Sequence, residues 1–371
     1  SCVDKDWAKL GDDLLEEQMY PLPKSHGSWE EHVLKFKSTG GTLRFKVMTT
    51  PCEEMIVTRE QTEAYVMEEH ILELKDGVKA ILSYRVKEGN NNAVLWIPGR
   101  NSCFQHPHVG SALEDAGYDL YALSYRNIGE CRKYCGEEGF VEGNDLSLTS
   151  HPGPASSFGI INEEEVKKSL EFISSKKKYQ KLLGYGHGVG GTIWINHILE
   201  HGDEQVDALI LNSPFLSWDQ LGGQYDNDYL FENMSAALQG CGSNDPASAA
   251  SPEHGRLMAW AVKCLSQYHF DAKTVGMNRI KLTFGFVSAC KEVFEKLEKL
   301  KSRITTKPVF LIRSRTENCL TALKSNQDIS PLLTDVLMPM GGHDIFRSYE
   351  RSIVDSAIGH LTAWLKTSPT W

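Results

Sequence analysis

Leu182-Leu183-Gly184-Tyr185-Gly186-His187-Gly188-Val189-Gly190-Gly191 is the stretch on which the reading of this chain turns. An apolar strand runs into small residues, and a helical pattern begins near Thr192. That is the setting of a nucleophile elbow, a sharp strand-to-helix turn in which small residues flank a side chain exposed at the crest of a sheet and the helix N-terminus favours negative charge before it. Gly186 and Gly190 fill the flanking positions of G-x-S-x-G, but the central position holds Gly188, so the hydroxyl the motif requires is absent. Gly186, Gly188 and Gly191 also satisfy G-x-G-x-x-G, the phosphate loop of a dinucleotide site. That fingerprint belongs to the first βα unit, with an acid about twenty residues on. Here Asp203 and Glu204 come too early and at least two strands precede the segment, so no cofactor is expected.

Outward from this stretch, Val94-Leu95-Trp96-Ile97, Tyr118 to Leu123, Lys181 to Tyr185 and Ala208 to Leu211 are short, nearly continuous apolar runs separated by helical patterns. Such runs alternating with helices predict a mostly parallel sheet covered on both faces, an α/β fold. Thr42 to Met48 and Tyr65 to Leu74 read as extended, and Gly77 joins the latter to Val78–Tyr84 in a hairpin, giving an antiparallel entry to the sheet. Trp7, Leu10, Leu14 and Leu15 predict a short amphipathic helix in an N-terminal extension, 1–40. The core occupies 41–216 and resumes over 277–371, with a helix over Phe284 to Leu300, strands at Pro308–Ile312 and Val336–Met338, and a closing helix over Ser352 to Leu365. Between them, 217–276 loses the rhythm and turns rich in Gly, Ser, Asn and Asp, which predicts an inserted cap.

The composition narrows the function classes. The 371 residues are 41% hydrophobic and 24% charged, as in soluble globular proteins, and a net charge of −10 gives no basic surface to track a phosphate backbone, so nucleic acid is not an expected partner. No run approaches the roughly 18 apolar residues of a membrane helix. The chain opens with Ser1-Cys2-Val3-Asp4 rather than Met, consistent with loss of a targeting peptide, so cytoplasm and organelle lumen both stay open as compartments. Nine scattered cysteines do not make a disulfide framework and mildly favour a reducing compartment; Asn233-Met234-Ser235 is a lone glycosylation sequon of a kind that chance supplies often.

Four motifs together carry a resemblance: Ile97-Pro98-Gly99-Arg100-Asn101 with His106-Pro107; Tyr118 to Leu123 leading to Tyr125-Arg126 and Gly129; the elbow followed by Leu211-Asn212-Ser213-Pro214-Phe215; and Gly341-Gly342-His343-Asp344-Ile345-Phe346. From about Ala93 to Trp364, with a gap over the cap, the chain resembles the α/β-hydrolase superfamily, and within it the serine-aminopeptidase and lysophospholipase-like branch. The resemblance implies oxyanion-hole amides near Arg100 and Asn101 and at Val189, a general base at His343, and an acid just past the strand ending at Ile312, where this chain offers Glu317. It places the nucleophile at Gly188, where no serine stands.

Removing the nucleophile from a working triad costs about a million-fold in turnover, roughly 8 kcal/mol of barrier. Ordinary acyl transfer through Gly188 is thereby excluded. Ser102, Cys103 and Ser213 lie near the implied site, but none is on an elbow, and each reads first as a loop or packing residue. His197-Ile198-Leu199-Glu200-His201 fits H-x-x-E-H, the helical pair of a zinc hydrolase; Gly202 ends that helix, so His201 has a simpler role at its C-terminal carbonyls. Cys131 and Cys135 lack a second pair at metal spacing, and no metal is expected. The leading expectation is a hydrolase-derived protein without the nucleophile, binding a small acyl or lipid-like ligand under the cap or serving a protein partner as a subunit. The alternatives are an ester or amide hydrolase whose serine has been replaced at 188, and the zinc hydrolase.

Overall fold

The structure is a computed structural model that describes residues 14–21, 28–36, 42–49, 65–100, 102–126, 158–217, 284–315, 328–339, 341, 343–348 and 351–367. Eight strands form the main sheet: β4 (Glu68–Glu73), β5 (Lys79–Arg85), β6 (Asn92–Ile97), β7 (Tyr118–Ser124), β8 (Lys181–His187), β9 (Ala208–Asn212), β10 (Val309–Ser314) and β11 (Leu333–Met338). Their spatial order is β4-β5-β7-β6-β8-β9-β10-β11. β4 and β5 form the expected antiparallel hairpin, joined through a 3₁₀ turn at Lys75–Gly77, and β5 lies antiparallel to β7. From β7 to β11 every pairing is parallel. This is the mostly parallel α/β architecture that the continuous apolar runs imply.

Those runs are continuous because both faces of the sheet are covered. Along β6, Leu95 and Ile97 enter one core cluster, with Trp194, Ile195 and Val293, while Val94 and Trp96 enter the other, with Leu113, Leu361 and Trp364. The first cluster sits under α2 (Phe158–Ile161), α3 (Lys167–Lys176), α4 (Val189–His201) and α5 (Phe284–Glu298); the second under α1 (Pro107–Asp115) and α6 (Arg351–Lys366). A π-turn at Asn162–Val166 links α2 to α3 and presents Glu164 and Glu165 to Arg126, just past β7. No helix among the described residues is long and apolar enough to cross a membrane.

Leu14 and Leu15 do not continue a helix: they open β1 (Leu14–Pro21), which pairs antiparallel with β2 (Ser28–Phe36), itself paired with β3 (Thr42–Thr49). A short isolated helix is marginal, whereas a strand beside a neighbour satisfies its backbone along the whole ladder. The division expected at residue 40 therefore runs through this small sheet. The cap expected at 217–276 lies outside the described residues apart from Ser217.

The site is positioned by a close crossing. At Gly190, in the first turn of α4, an added methyl group would run into the Ile97 carbonyl oxygen at the end of β6. At Gly186 it would stand 2.6 Å from the Gly191 backbone. Helix, strand and the loop after β6 approach because neither position carries a side chain. Gly190→Ala is expected to cost about 3 kcal/mol by overpacking, read as a lower urea midpoint; an unchanged midpoint would contradict this contact.

Candidate functional site

β8 ends at His187, and the chain turns into α4 through a single residue, Gly188, at φ 51° and ψ −117°. An L side chain rarely adopts this backbone, whereas glycine adopts it freely, so the strand-to-helix corner turns on Gly188 without strain. The helix begins at Val189 rather than near Thr192, because the Gly188 carbonyl already accepts from the Gly191 and Thr192 amides at 3.0 and 3.4 Å. The Gly188 N–H donates to the Asn212 carbonyl at 3.1 Å, and the Phe215 N–H donates back to the Gly188 carbonyl at 2.9 Å. Thr192 adds a hydroxyl bond to the Phe215 carbonyl. The Asn212–Phe215 segment thus braces the turn on one side.

On the open side stands His343, in the loop between β11 and a 3₁₀ turn at Ile345–Arg347. A Cβ at position 188 would lie 2.9 Å from His343 Nε2 and 3.9 Å from the Gly99 Cα. The histidine expected from the sequence therefore faces the bare α-carbon, with the loop after β6 alongside. Arg100 follows Gly99 directly and Val189 follows Gly188, so both fall at this corner. Asn101 and Glu317 lie outside the described residues.

Beneath the corner is a polar network that sequence reasoning left unassigned. Asp344 is fully buried, accepts from His106 Nε2 at 2.7 Å and from Asn212 Nδ2 at 2.8 Å, and lies 3.9 Å from His187 Nδ1. Asn212 Nδ2 also donates to the Tyr185 hydroxyl at 3.1 Å. Burial by itself would raise the Asp344 pKa, but the imidazoles of His106 and His187 and the Arg347 guanidinium hold it well below the ordinary carboxylate range. His106 is pushed down by burial, with Asp344 opposing. It is a neutral ring that donates from Nε2 and accepts the Gln105 amide at Nδ1. His187 is pushed down by burial to about 3, against the pull of Asp344, and neither of its ring nitrogens has a hydrogen-bond partner. Of these residues Asn212 closes an apolar strand, the one local signal the sequence offers for the network.

The other sequence candidates separate. Ser102 donates to the Cys103 carbonyl at 3.0 Å, and Cys103 is buried. Ser213 sits just past β9, next to the elbow, buried and at φ 44°, with no hydrogen-bond partner for its hydroxyl. The zinc pattern on α4 does not converge: His197 bonds Gln205 at 2.8 Å, Glu200 pairs with Lys296 at 2.8 Å, and His201 faces Glu163 at 3.4 Å. Among the described residues no three His, Cys, Asp or Glu side chains are grouped to hold a metal ion. Cys131, Cys135 and Asn233 lie outside the described residues.

With this geometry in hand, similarity to solved structures identifies the architecture. A thermostable carboxyl esterase from Bacillus coagulans is similar at TM-score 0.57 and 12% identity, over 81% of this chain and 98% of its own. A soluble variant of monoglyceride lipase from Saccharomyces cerevisiae is similar at 0.54 and 17%, over 80% and 95%. An esterase from Exiguobacterium antarcticum follows at 0.52 and 13%, over 81% and 100%. No protein-family model matches the sequence, and neither does any curated protein. The fold is the α/β-hydrolase fold.

The buried histidines dictate a pH response. In the unfolded chain an imidazole takes up its proton below about 6.5, whereas His187 in the folded chain resists until about 3 and His108, pushed down chiefly by burial, until about 4. The unfolded state therefore binds more protons in that window, so stability is complete above pH 6.5 and falls as pH drops below it. The carboxylate of Asp344 acts lower still, its contribution being lost only beneath the unfolded carboxylate range. Each histidine contributes a slope of about 1.4 kcal/mol per pH unit. His187→Gln is expected to remove one proton from the slope of urea stability between pH 6 and 4.5; an unaltered slope would contradict a neutral buried ring.

Proposed function

We propose that this chain is a hydrolase-derived protein that binds at the old elbow rather than cleaving there, taking a small acyl or lipid-like ligand beneath a cap formed by 217–276 or serving a partner protein as a subunit. The observation that carries the reading is Gly188. The corner keeps its backbone turn, its helix N-terminus and its facing histidine, but it has no atom that could attack an acyl carbon. The remaining parts keep the roles the family resemblance gives them: amides near Arg100, Asn101 and Val189 for a ligand oxygen, His343 as the former base and Glu317 as its acid. The similar esterases and monoglyceride lipase support a hydrolase ancestry; the serine-aminopeptidase and lysophospholipase-like branch rests on the motifs alone.

A second reading is favoured by one observation, the standing of His343 Nε2 at 2.9 Å from the position of a side chain at 188. In it the natural protein is an ester or amide hydrolase whose serine has been replaced. A hydroxyl at 188 would then attack the acyl carbon, His343 would take its proton, and the amides would hold the oxyanion. The codon at position 188 in the gene separates the two: a glycine codon removes the second.

The unsubstituted chain is expected to show no turnover of p-nitrophenyl butyrate above a heat-denatured control. Gly188→Ser is expected to gain slow turnover, below about 1 s⁻¹, because the new Cβ must displace the His343 ring by a few tenths of an ångström. Turnover by the unsubstituted chain would refute the binding reading, and an ordinary enzymatic rate of about 10 s⁻¹ in the serine variant would favour the replaced-serine reading.

A further inference from the structure

The main sheet ends in two edge strands of different chemistry. β4 carries Glu68, Glu69 and Glu73, all exposed, the kind of charge by which natural edges repel another strand. β11, Leu333-Thr334-Asp335-Val336-Leu337-Met338, has no lysine and no proline. Its single charge, Asp335, is held by the Arg313 guanidinium of β10 at 3.0 and 2.7 Å. Leu332 and Leu337 stand about half exposed, at 55% and 46%. Among the described residues no strand lies on the outer side of β11.

The backbone fixes which residues face that edge. The Leu332 and Met338 carbonyls accept from the Val309 and Arg315 amides, so with the period of two the even-numbered residues of β11 bond inward, to β10. Leu333, Asp335 and Leu337 therefore direct both N–H and C=O outward. The next residues in this outward series are Pro331 and Pro339, which have no N–H and end the series on either side. Over 331–339 the outward series reads proline, leucine, aspartate, leucine, proline, a palindrome centred on Asp335. An antiparallel second copy, related by a two-fold axis at Asp335, matches it throughout. Leu333 then lies opposite Leu337 of the second copy, and each proline lies opposite a proline, where no bond is needed. On the α6 face a groove of about 480 Å³ runs beside β11, walled by Val336, Met338, Ile353 and the small Ser352 and Ser356. It leaves room for the Thr334 and Val336 side chains of the added strand.

We propose that β11 is a self-pairing edge, across which two copies of this chain join into one continuous sheet about a two-fold axis at Asp335. Charge selects a second copy over a foreign strand. The two carboxylates that meet at the axis each bring their own Arg313, so the four charges sum to zero. A foreign lysine opposite Asp335 competes with Arg313, and a foreign acid adds a charge without its counter-ion. A two-fold contact closes on itself, so assembly stops at the dimer. The inference goes beyond the binding reading and stands whether or not the elbow binds.

Analytical ultracentrifugation of the full chain at micromolar concentration is expected to give twice the mass of the chain. Leu337→Lys is expected to weaken the dimer at least about tenfold, because symmetry places the new charge in the interface twice. Asp335→Cys sets two thiols at the axis with Cα atoms about 5.5 Å apart, within disulfide reach. On mild oxidation it is expected to give a reducible cross-linked dimer, in excess of that from the unsubstituted chain or from Thr334→Cys, whose thiols lie off the axis. A monomer at every concentration, a dimer unmoved by Leu337→Lys, or no excess cross-link at Asp335→Cys would each overturn the proposal. Should the lysine variant lose its near-UV spectrum, the mass of the unsubstituted chain and the Asp335→Cys cross-link decide.

Discussion

The chain must turn from β8 into α4 within one residue, and it does so at a backbone conformation that only glycine adopts without strain, φ 51° at Gly188. In a working elbow that strain is offset elsewhere in the fold because it lifts a nucleophile clear of the sheet. Here the corner carries no side chain at all. What surrounds it follows from the corner: Asn212 and Phe215 bond the Gly188 amide and carbonyl, Gly190 lets α4 rest on the end of β6, and His343 stands opposite the bare α-carbon.

Asp344 holds the three loops in register. Its two oxygens reach the loop after β6 through His106 and the end of β9 through Asn212, while its own backbone carries His343. A buried charge with good partners adds little net stability, but removing one partner leaves the other uncompensated, at about 3–5 kcal/mol. The network therefore fixes geometry more than it adds stability. It ties the segment carrying His343, the loop after β6 and the end of β9 to one another beneath the turn at Gly188.

Much of this was legible in the sequence, for physical reasons that differ by element. Tyr118–Leu123 and Ala208–Leu211 read correctly as buried parallel strands because both faces of the sheet are covered, so every position must be apolar. The strand-to-helix turn between Gly186 and Gly190 was legible because its glycines are dictated by backbone approach. The start of α4 was not, since a glycine-rich first turn carries no periodicity. Leu14 and Leu15 misled because four apolar residues at helical spacing say nothing of a strand partner further along. The Asp344 network escaped notice because His106 and Asp344 are 238 residues apart in sequence. Local pattern does not register a pairing at that distance.

The absence of a reactive oxygen at the crest of the sheet is the claim on which the rest stands. Intact-protein mass spectrometry after exposure to a fluorophosphonate tests it most directly, since that reagent is attacked by activated serines whatever the natural ligand. An unchanged mass is the result predicted. A stoichiometric phosphonyl adduct, on Ser213, Ser102 or any other residue, would contradict it.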